Sequence, residues 1–295
     1  MFGKEEYREI NTNLNRQLEE KQVLIAVHRG TWGGNVAQNT IQAYRISRQM
    51  GGDIFECDLA PSTDGVFYAF HDGTEPGNLG RQENIKTMSS QEIGSLVYIN
   101  TVFEPSGIHV EKLEDILCAF CHGELFNIDR AWDYLPQLTD VLNRYPHALH
   151  QAIIKTPVKP EYLGFFQNCP QKYPYMAIVR NLEEVEQALA WPGINLVGME
   201  LQASTKEDAL FQDGLIQRLT EAGVFAWANA IKLRPHKAGT LFAGLDDNVA
   251  LDGNPDASWG EMFRKGIRVI QTDWPWQLSQ YRESYFGTQG GLETF

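Results

Sequence analysis

The chain has 295 residues, 43% of them hydrophobic and 21% charged, an ordinary globular composition with ample apolar material for a large core. Its 25 basic and 38 acidic residues leave a formal charge of −13, which argues against nucleic acid or an anionic membrane as a general partner. An anionic substrate would need a local cation to receive it.

From the N-terminus, Met1 to Gln22 is polar and helix-prone and reads as a helical extension. It lacks the apolar core of a signal peptide, so a cytoplasmic location is expected. No stretch is long and apolar enough to span a bilayer, so no stable membrane insertion is expected. Val23 to His28 is then an apolar strand-like run, followed by helical spacing over Thr40 to Met50. Asp53 to Leu59 and, after the turn Thr63-Asp64-Gly65, Val66 to His71 read as a strand with a hairpin extension. Gly73 to His109, rich in Gly, Glu, Asn and Ser, interrupts the rhythm as a small insertion after the second strand. The apolar spacing of Val110 to Leu117 predicts an amphipathic helix.

The remaining strand-like runs are Leu125 to Asp129, Ala152 to Lys155, Tyr175 to Val179, Leu196 to Leu201, Val224 to Trp227 and Val269 to Thr272. Helix-type segments follow them, at Asp140 to Arg144, Glu161 to Gln167, Leu182 to Ala190, Leu210 to Ala222, Trp259 to Lys265 and Gln277 to Ser284. About eight β/α units with nearly continuous apolar strands predict a single domain over 1–295, a (β/α)₈ or TIM barrel. A doubly wound sheet is the lesser alternative, because neither G-x-G-x-x-G nor G-x-x-x-x-G-K occurs.

Two patterns are set aside. Cys118-Ala119-Phe120-Cys121-His122 has c-type haem spacing, but no export signal accompanies it. Asp246 to Asn254 resembles a calcium loop, yet the bidentate Glu position falls on Trp259, so it reads as a long loop over the barrel mouth. The four cysteines show no disulfide-framework spacing.

Barrel enzymes build their sites where strands end. Those positions here hold His28 and Arg29, Glu56 and Asp58, His71 and Asp72, Asp129 and Arg130, Lys155, Glu200, Asn229 and Asp273. Packing alone gives no reason for that, since buried charge is costly unless paired or metal-bound. Glu56 and Asp58, two apart on one strand, emerge on one face and need a cation or a shared proton between them. With Asp129 they form a candidate oxygen site for a divalent metal, Mg²⁺ or Ca²⁺; structural ion pairs with Arg29, Arg130 or Lys155 are the alternative. His28 and His71 are the candidates for proton transfer. Trp32, Trp227, Trp274 and Trp276, near strand ends, are either pocket walls or ordinary rim packing.

The ordered set His28-Arg29-Gly30, Asn39-Thr40, Glu56-Cys57-Asp58, Thr63-Asp64-Gly65 and His71-Asp72, running on to Thr272-Asp273-Trp274-Pro275, resembles the glycerophosphodiester phosphodiesterase family. The resemblance implies catalytic roles for His28 and His71, metal ligation by Glu56, Asp58 and Asp129, and phosphate binding by Arg29. Lys155, Glu200, Trp227 and Asn229 are expected to complete the substrate site. The chain departs from the family at Gln38, where Glu is usual, and at Asp129, where Glu followed by x-Lys is usual; Lys155 is placed to replace that ammonium. The implied activity is metal-dependent hydrolysis of a small-molecule glycerophosphodiester to glycerol 3-phosphate and an alcohol. A related lipid phosphodiesterase forming a cyclic phosphate, and a non-catalytic phosphate-binding barrel, stay open. The sequence specifies no oligomeric state.

Overall fold

The computed structural model describes residues 1–234 and 239–289. Its strands are β1 (Leu24–Val27), β2 (Ile54–Pro61), β3 (Phe67–Ala69), β4 (Val97–Ile99), β5 (Pro105–His109), β6 (Leu125–Asp129), β7 (Ala152–Pro157), β8 (Tyr175–Val179), β9 (Leu196–Leu201), β10 (Phe225–Asn229) and β11 (Val269–Thr272). Eight of them pair in parallel in the order β1-β11-β10-β9-β8-β7-β6-β2, and β1 pairs with β2 to close the ring. This is the TIM (β/α)₈ barrel that the alternation predicts. The strands are buried throughout because both their faces are covered.

The helices start where the sequence supplies N-caps. Thr40 accepts from the Ala43 amide to open the helix Ile41–Gln49, and Asn181 accepts from Glu184 to open Leu182–Ala190. Gly266, with φ of 86°, ends the helix Trp259–Lys265 in the left-handed conformation. The helix expected from Val110 begins instead at Leu113, because the Glu111 carbonyl accepts from the Ala69 amide and holds that stretch beside β3. Asp246 to Asn254 is also more ordered than a loop: Asp246 caps a short helix, Asp247–Leu251. Residues 235–238, between β10 and this helix, lie outside the described residues.

The first residues close the end of the barrel opposite the strand C-termini. Phe2, with Leu14 and Leu18 of the helix Arg8–Lys21, packs against Leu24, Leu125, Val197, Phe225 and Val269 inside the ring. Asn11 and Asn195 exchange two side-chain hydrogen bonds of 2.9 Å beneath this layer. The interior therefore opens at one end only.

The segment after β2 forms a satellite. β3 pairs antiparallel with the end of β2, and β4 and β5 form a separate hairpin. Ile85, Met88, Ile93, Leu96 and Tyr98 pack with Tyr68 and Phe70 into a small core of their own. A reciprocal capping box between Ser89 and Glu92 opens the helix Ser90–Gly94 within it.

One buried carboxylate ties the ends of the chain together. Asp53, before β2, accepts from the Ile25 amide at 2.8 Å and pairs with Lys21 and with Arg282 of the C-terminal helix Pro275–Gln289. Asp53→Ala would strand the buried Arg282 charge, and breaking a buried pair costs about 3–5 kcal/mol. Urea unfolding should show a loss of that order with no change in the slope of the transition.

Candidate active site

The site grows from the left-handed turn that ends β1. Arg29 and Gly30 have φ of 56° and 75°, and a Cβ on Gly30 would come within 2.9 Å of Ala43 and Tyr44, so glycine is required there. The turn lets the Arg29 amide donate to Glu56 Oε2 at 3.0 Å while the Arg29 side chain reaches Asp58. Arg29 Nη1 donates to Gln38 Oε1 at 2.9 Å, and Gln38 Nε2 donates to Asn78 of the satellite at 2.9 Å. Arg29 Nε is ion-paired with Asp58 Oδ2 at 2.9 Å but outside hydrogen-bond geometry, and it has no hydrogen-bond acceptor among the described residues.

Glu56 and Asp58 are each 2% exposed. Asn39, itself left-handed with φ of 55°, donates to Asp58 Oδ2 and accepts from the Asp58 amide, both at 3.2 Å. Asp129 stands opposite Asp58 in the β2–β6 register. Lys155 Nζ lies 2.7 Å from Asp129 Oδ2 and 3.0 Å from Glu200 Oε2, and Gln202 donates to the other Glu200 oxygen at 2.9 Å. Burial works against the Lys155 charge, but Asp129, Glu200 and Glu56 outweigh it and raise its pKa.

At the floor of the cavity four carboxylates, Glu56, Asp58, Asp129 and Glu200, thus face two fixed cations, Arg29 and Lys155. The Glu56 carboxyl is pushed up to about 8, first by burial and then by the Asp58 charge. One ligand oxygen from each of Glu56, Asp58 and Asp129 can be chosen so that all lie within 4.8 Å of one another. That spacing fits a single ion with oxygen ligands at about 2.0–2.6 Å, and the all-oxygen donor set suits Mg²⁺ or Ca²⁺. Asp129 reaches the cluster despite being one methylene shorter than Glu.

Both histidines line the same cavity, of about 240 Å³, and each has Nδ1 occupied. His28 Nδ1 meets Asp273 Oδ1 at 2.9 Å, and His71 Nδ1 meets the Asp72 carbonyl at 2.9 Å. Each ring therefore carries hydrogen on Nδ1 and leaves Nε2 free of a protein partner among the described residues. Their environments differ. Burial opposes the charge on His28, but the Asp273 hydrogen bond and the Glu56 and Asp273 charges prevail and raise its pKa. His71 is lowered, first by burial, with Arg29 and Arg130 adding to it against Asp58.

Further residues hold these groups without being evident in the sequence. Asp247 accepts from the Asp273 amide at 3.1 Å, from Thr272 Oγ1 at 2.9 Å and from Trp259 Nε1 at 2.9 Å, fixing the loop that carries Asp273. Asp72 pairs with Arg130 at 2.9 Å and Lys86 at 2.6 Å, joining the barrel rim to the satellite. Trp132, Arg180, Gln202, Ile231, Leu233, Leu241 and Gln271 complete the cavity wall, and the buried Gln271 Oε1 has no partner among the described residues. Asn229 lines the wall as expected, but Trp227 does not. Its ring is fully buried in the interior layer below, 5.9 Å from Lys155 Nζ, and its Nε1 donates to Asn229 Oδ1 at 2.7 Å. The exposed Trp32, Trp274 and Trp276 lie outside the cavity lining.

A closed parallel barrel with an acidic cluster, an arginine and two histidines at the C-terminal ends of its strands has the architecture of a phosphoric diester hydrolase. The description of the glycerophosphoryl diester phosphodiesterase family matches residues 28–228, and the chain belongs to that family. A second match, to a domain of unknown function, spans residues 175–282. No curated protein sequence matches the chain. Among solved structures, a glycerophosphoryl diester phosphodiesterase from Parabacteroides distasonis is 16% identical, with a TM-score of 0.69 over 90% of this chain and 87% of that one. One from Agrobacterium tumefaciens is 18% identical, with a TM-score of 0.61 over 88% and 99%. A phosphodiesterase from Oleispira antarctica, in complex with its product sn-glycerol-3-phosphate, is 15% identical, with a TM-score of 0.60 over 88% and 96%. At these identities the likeness concerns the fold.

The raised Glu56 carboxyl has a thermodynamic consequence. Its ordinary value is 4.5, so between pH 4.5 and about 8 the folded, cation-free protein keeps a proton that the unfolded chain has released. The contribution of Glu56 to stability then falls as pH rises through this window, by up to about 1.4 kcal/mol per pH unit. Urea unfolding with EDTA at pH 5 and pH 8 should show the fall, and Glu56→Gln should lessen it. The wild-type-minus-variant difference separates Glu56 from Asp247, which burial also raises, to about 7. Equal pH dependence in the two proteins would mean that Glu56 is already ionised.

Proposed function

We propose that the chain hydrolyses a glycerophosphodiester to glycerol 3-phosphate and an alcohol, with a divalent cation and with His28 and His71 as the proton-transfer pair. The observation that carries this reading is the pairing of two histidines, both with Nε2 free, on one cavity with a buried three-carboxylate cluster. Its volume, below the roughly 300 Å³ at which typical ligand pockets begin, suits a phosphate with a glycerol-sized group.

Glu56, Asp58 and Asp129 would hold Mg²⁺ or Ca²⁺, which when bound neutralises phosphate oxygens as a Lewis acid. Arg29, which lines the cavity beside Asp58 and Gln38, holds a second phosphate oxygen. Lys155, fixed between Asp129 and Glu200, adds positive potential at the cavity floor. Asn229 and the orphaned Gln271 oxygen are suited to the glycerol hydroxyls. His71, neutral at physiological pH, takes the proton of the attacking water. His28, kept protonated by Asp273, gives one to the departing alkoxide. Attack and departure lie in line across phosphorus, so the two rings act from opposite sides.

Either His→Ala variant should lose about 10²–10⁴-fold in kcat on glycerophosphocholine. A nitrophenyl diester has a leaving group that needs little protonation, so it should partly rescue His28→Ala and leave His71→Ala inactive. EDTA should abolish turnover, and Mg²⁺ or Ca²⁺ should restore it. Retention of near-wild-type turnover by both variants would make the histidines structural and end this mechanism.

The pH profile follows from the two directions of shift. The working form needs His71 neutral and His28 charged, so kcat/KM should be bell-shaped, with its limbs on either side of the ordinary histidine value of 6.5. Asp273→Asn removes the charge that raises His28. The alkaline limb should move to lower pH while the acid limb stays in place; movement of the acid limb instead would reverse the two roles.

A further inference from the structure

Few large apolar side chains are exposed among the described residues, and their distribution is uneven. Six of the nine, Trp32, Val102, Phe103, Leu233, Trp274 and Trp276, stand at the end of the barrel where the cavity opens. Trp32 lies in the loop after β1, and Trp274 and Trp276 follow β11. Val102 and Phe103, the latter 80% exposed, form the tip of the β4–β5 hairpin.

Four of these side chains, Trp32, Phe103, Trp274 and Trp276, form one band. The Thr101 amide donates to the Gly34 carbonyl at 3.3 Å, and Asn100 donates to Asn35 at 2.8 Å, joining the hairpin tip to the β1 loop. Trp32 and Phe103 line a common hollow of about 210 Å³, and Trp32 also lines a second, of about 450 Å³, with Met50, Trp274 and Trp276. The band adjoins the reaction cavity at two places: Gln38, which holds Arg29, lines the first hollow, and Asp273, which holds His28, lines the second.

Segments 30–36, 99–103 and 274–277 contain no charged residue, in a chain of formal charge −13. An exposed, uncharged, tryptophan-rich band suits the boundary between water and a neutral lipid surface, where the indole ring buries its apolar body and keeps its N–H wet. The net charge disfavours anionic lipid. A protein bound across these segments would cover the cavity mouth, whereas a lipid surface presents a lipid phosphodiester to it.

We propose that this rim docks the enzyme on a zwitterionic lipid surface and that its preferred substrate is a glycerophosphodiester lipid held there. The substrate half of the proposal rests on the phosphodiesterase reading above; the docking half can be measured without turnover.

The probe is a phosphatidylcholine vesicle, and the comparison is wild type against the double variant Phe103→Ser, Trp276→Ser, both sites exposed and outside the reaction cavity. Wild type should sediment with vesicles and its tryptophan emission should shift to the blue. The double variant should partition about tenfold less or worse, as expected when two large apolar side chains are removed from the contact. Release of alcohol from lysophosphatidylcholine in the vesicles should fall in parallel, with kcat/KM on soluble glycerophosphocholine unchanged. No vesicle binding by wild type, binding only to anionic vesicles, or equal binding by the double variant would overturn the docking surface. So would a wild-type dimer that the double variant abolishes, since the band would then belong to a second copy. An equal fall on both substrates would overturn the substrate preference by placing the rim in the soluble site. Vesicle binding with no hydrolysis of either diester would overturn the phosphodiesterase reading while leaving the docking surface standing.

Discussion

Glu56 and Asp58 leave the same face of one strand into a buried space, and two buried carboxylates at that spacing repel one another unless positive charge or a proton relieves them. Much of the upper barrel is arranged around this repulsion. Arg29 reaches it through a left-handed turn that also aims its own amide at Glu56. Asn39 adopts a left-handed conformation to hold Asp58 at both its side chain and its amide. Lys155 compensates Asp129 and Glu200. Even so, Glu56 keeps a proton well above the usual carboxylate range, which is the state of a cluster short of positive charge. In the function proposed above, a cation and an anionic phosphate entering together would complete this electrostatic balance.

The same economy governs the histidines. Two chemically identical rings are pushed in opposite directions: the Asp273 and Glu56 carboxylates raise His28 against its burial, whereas burial, with Arg29 and Arg130, lowers His71. The carboxylate is in turn fixed from behind, since Asp247 holds the Asp273 amide and the Thr272 hydroxyl. Asp72, bridging Arg130 and Lys86, locks the satellite against the rim on the His71 side. Small backbone displacements in either loop would detune the pair, because burial and the distances to neighbouring charges set both shifts.

Departures from the usual family pattern become local adjustments in this setting. Gln38 keeps a neutral oxygen on Arg29 and spends its amide on Asn78, so the satellite is coupled to the arginine without a further negative charge near a crowded cluster. Asp129 gives up a methylene yet stays within reach of Glu56 and Asp58, and the ammonium that usually follows it in sequence comes from Lys155 on the adjacent strand.

The barrel was legible from the alternation of apolar strands with amphipathic helices, because a parallel strand covered on both faces leaves that signature directly. The histidines, the acidic pair, Asp129 and Lys155 were legible for a related reason: charge at a strand end in a barrel has no packing explanation. Trp227 misled, since a residue two places before Asn229 on an inward-facing strand sits one layer deeper, and depth is not written in strand position alone. Asp247, read as part of a loop, proved to be the anchor of Asp273, and Arg180, Gln202 and Gln271 joined the wall from strands and loops with no motif to mark them. Sequence by itself therefore determined which chemical groups reach the open end of the barrel. Only the tertiary structure decided which of them touch, in which direction each histidine is pushed and how the carboxylates share their cations, because those properties depend on distances of a few ångströms between residues as far apart in the chain as His28 and Asp273.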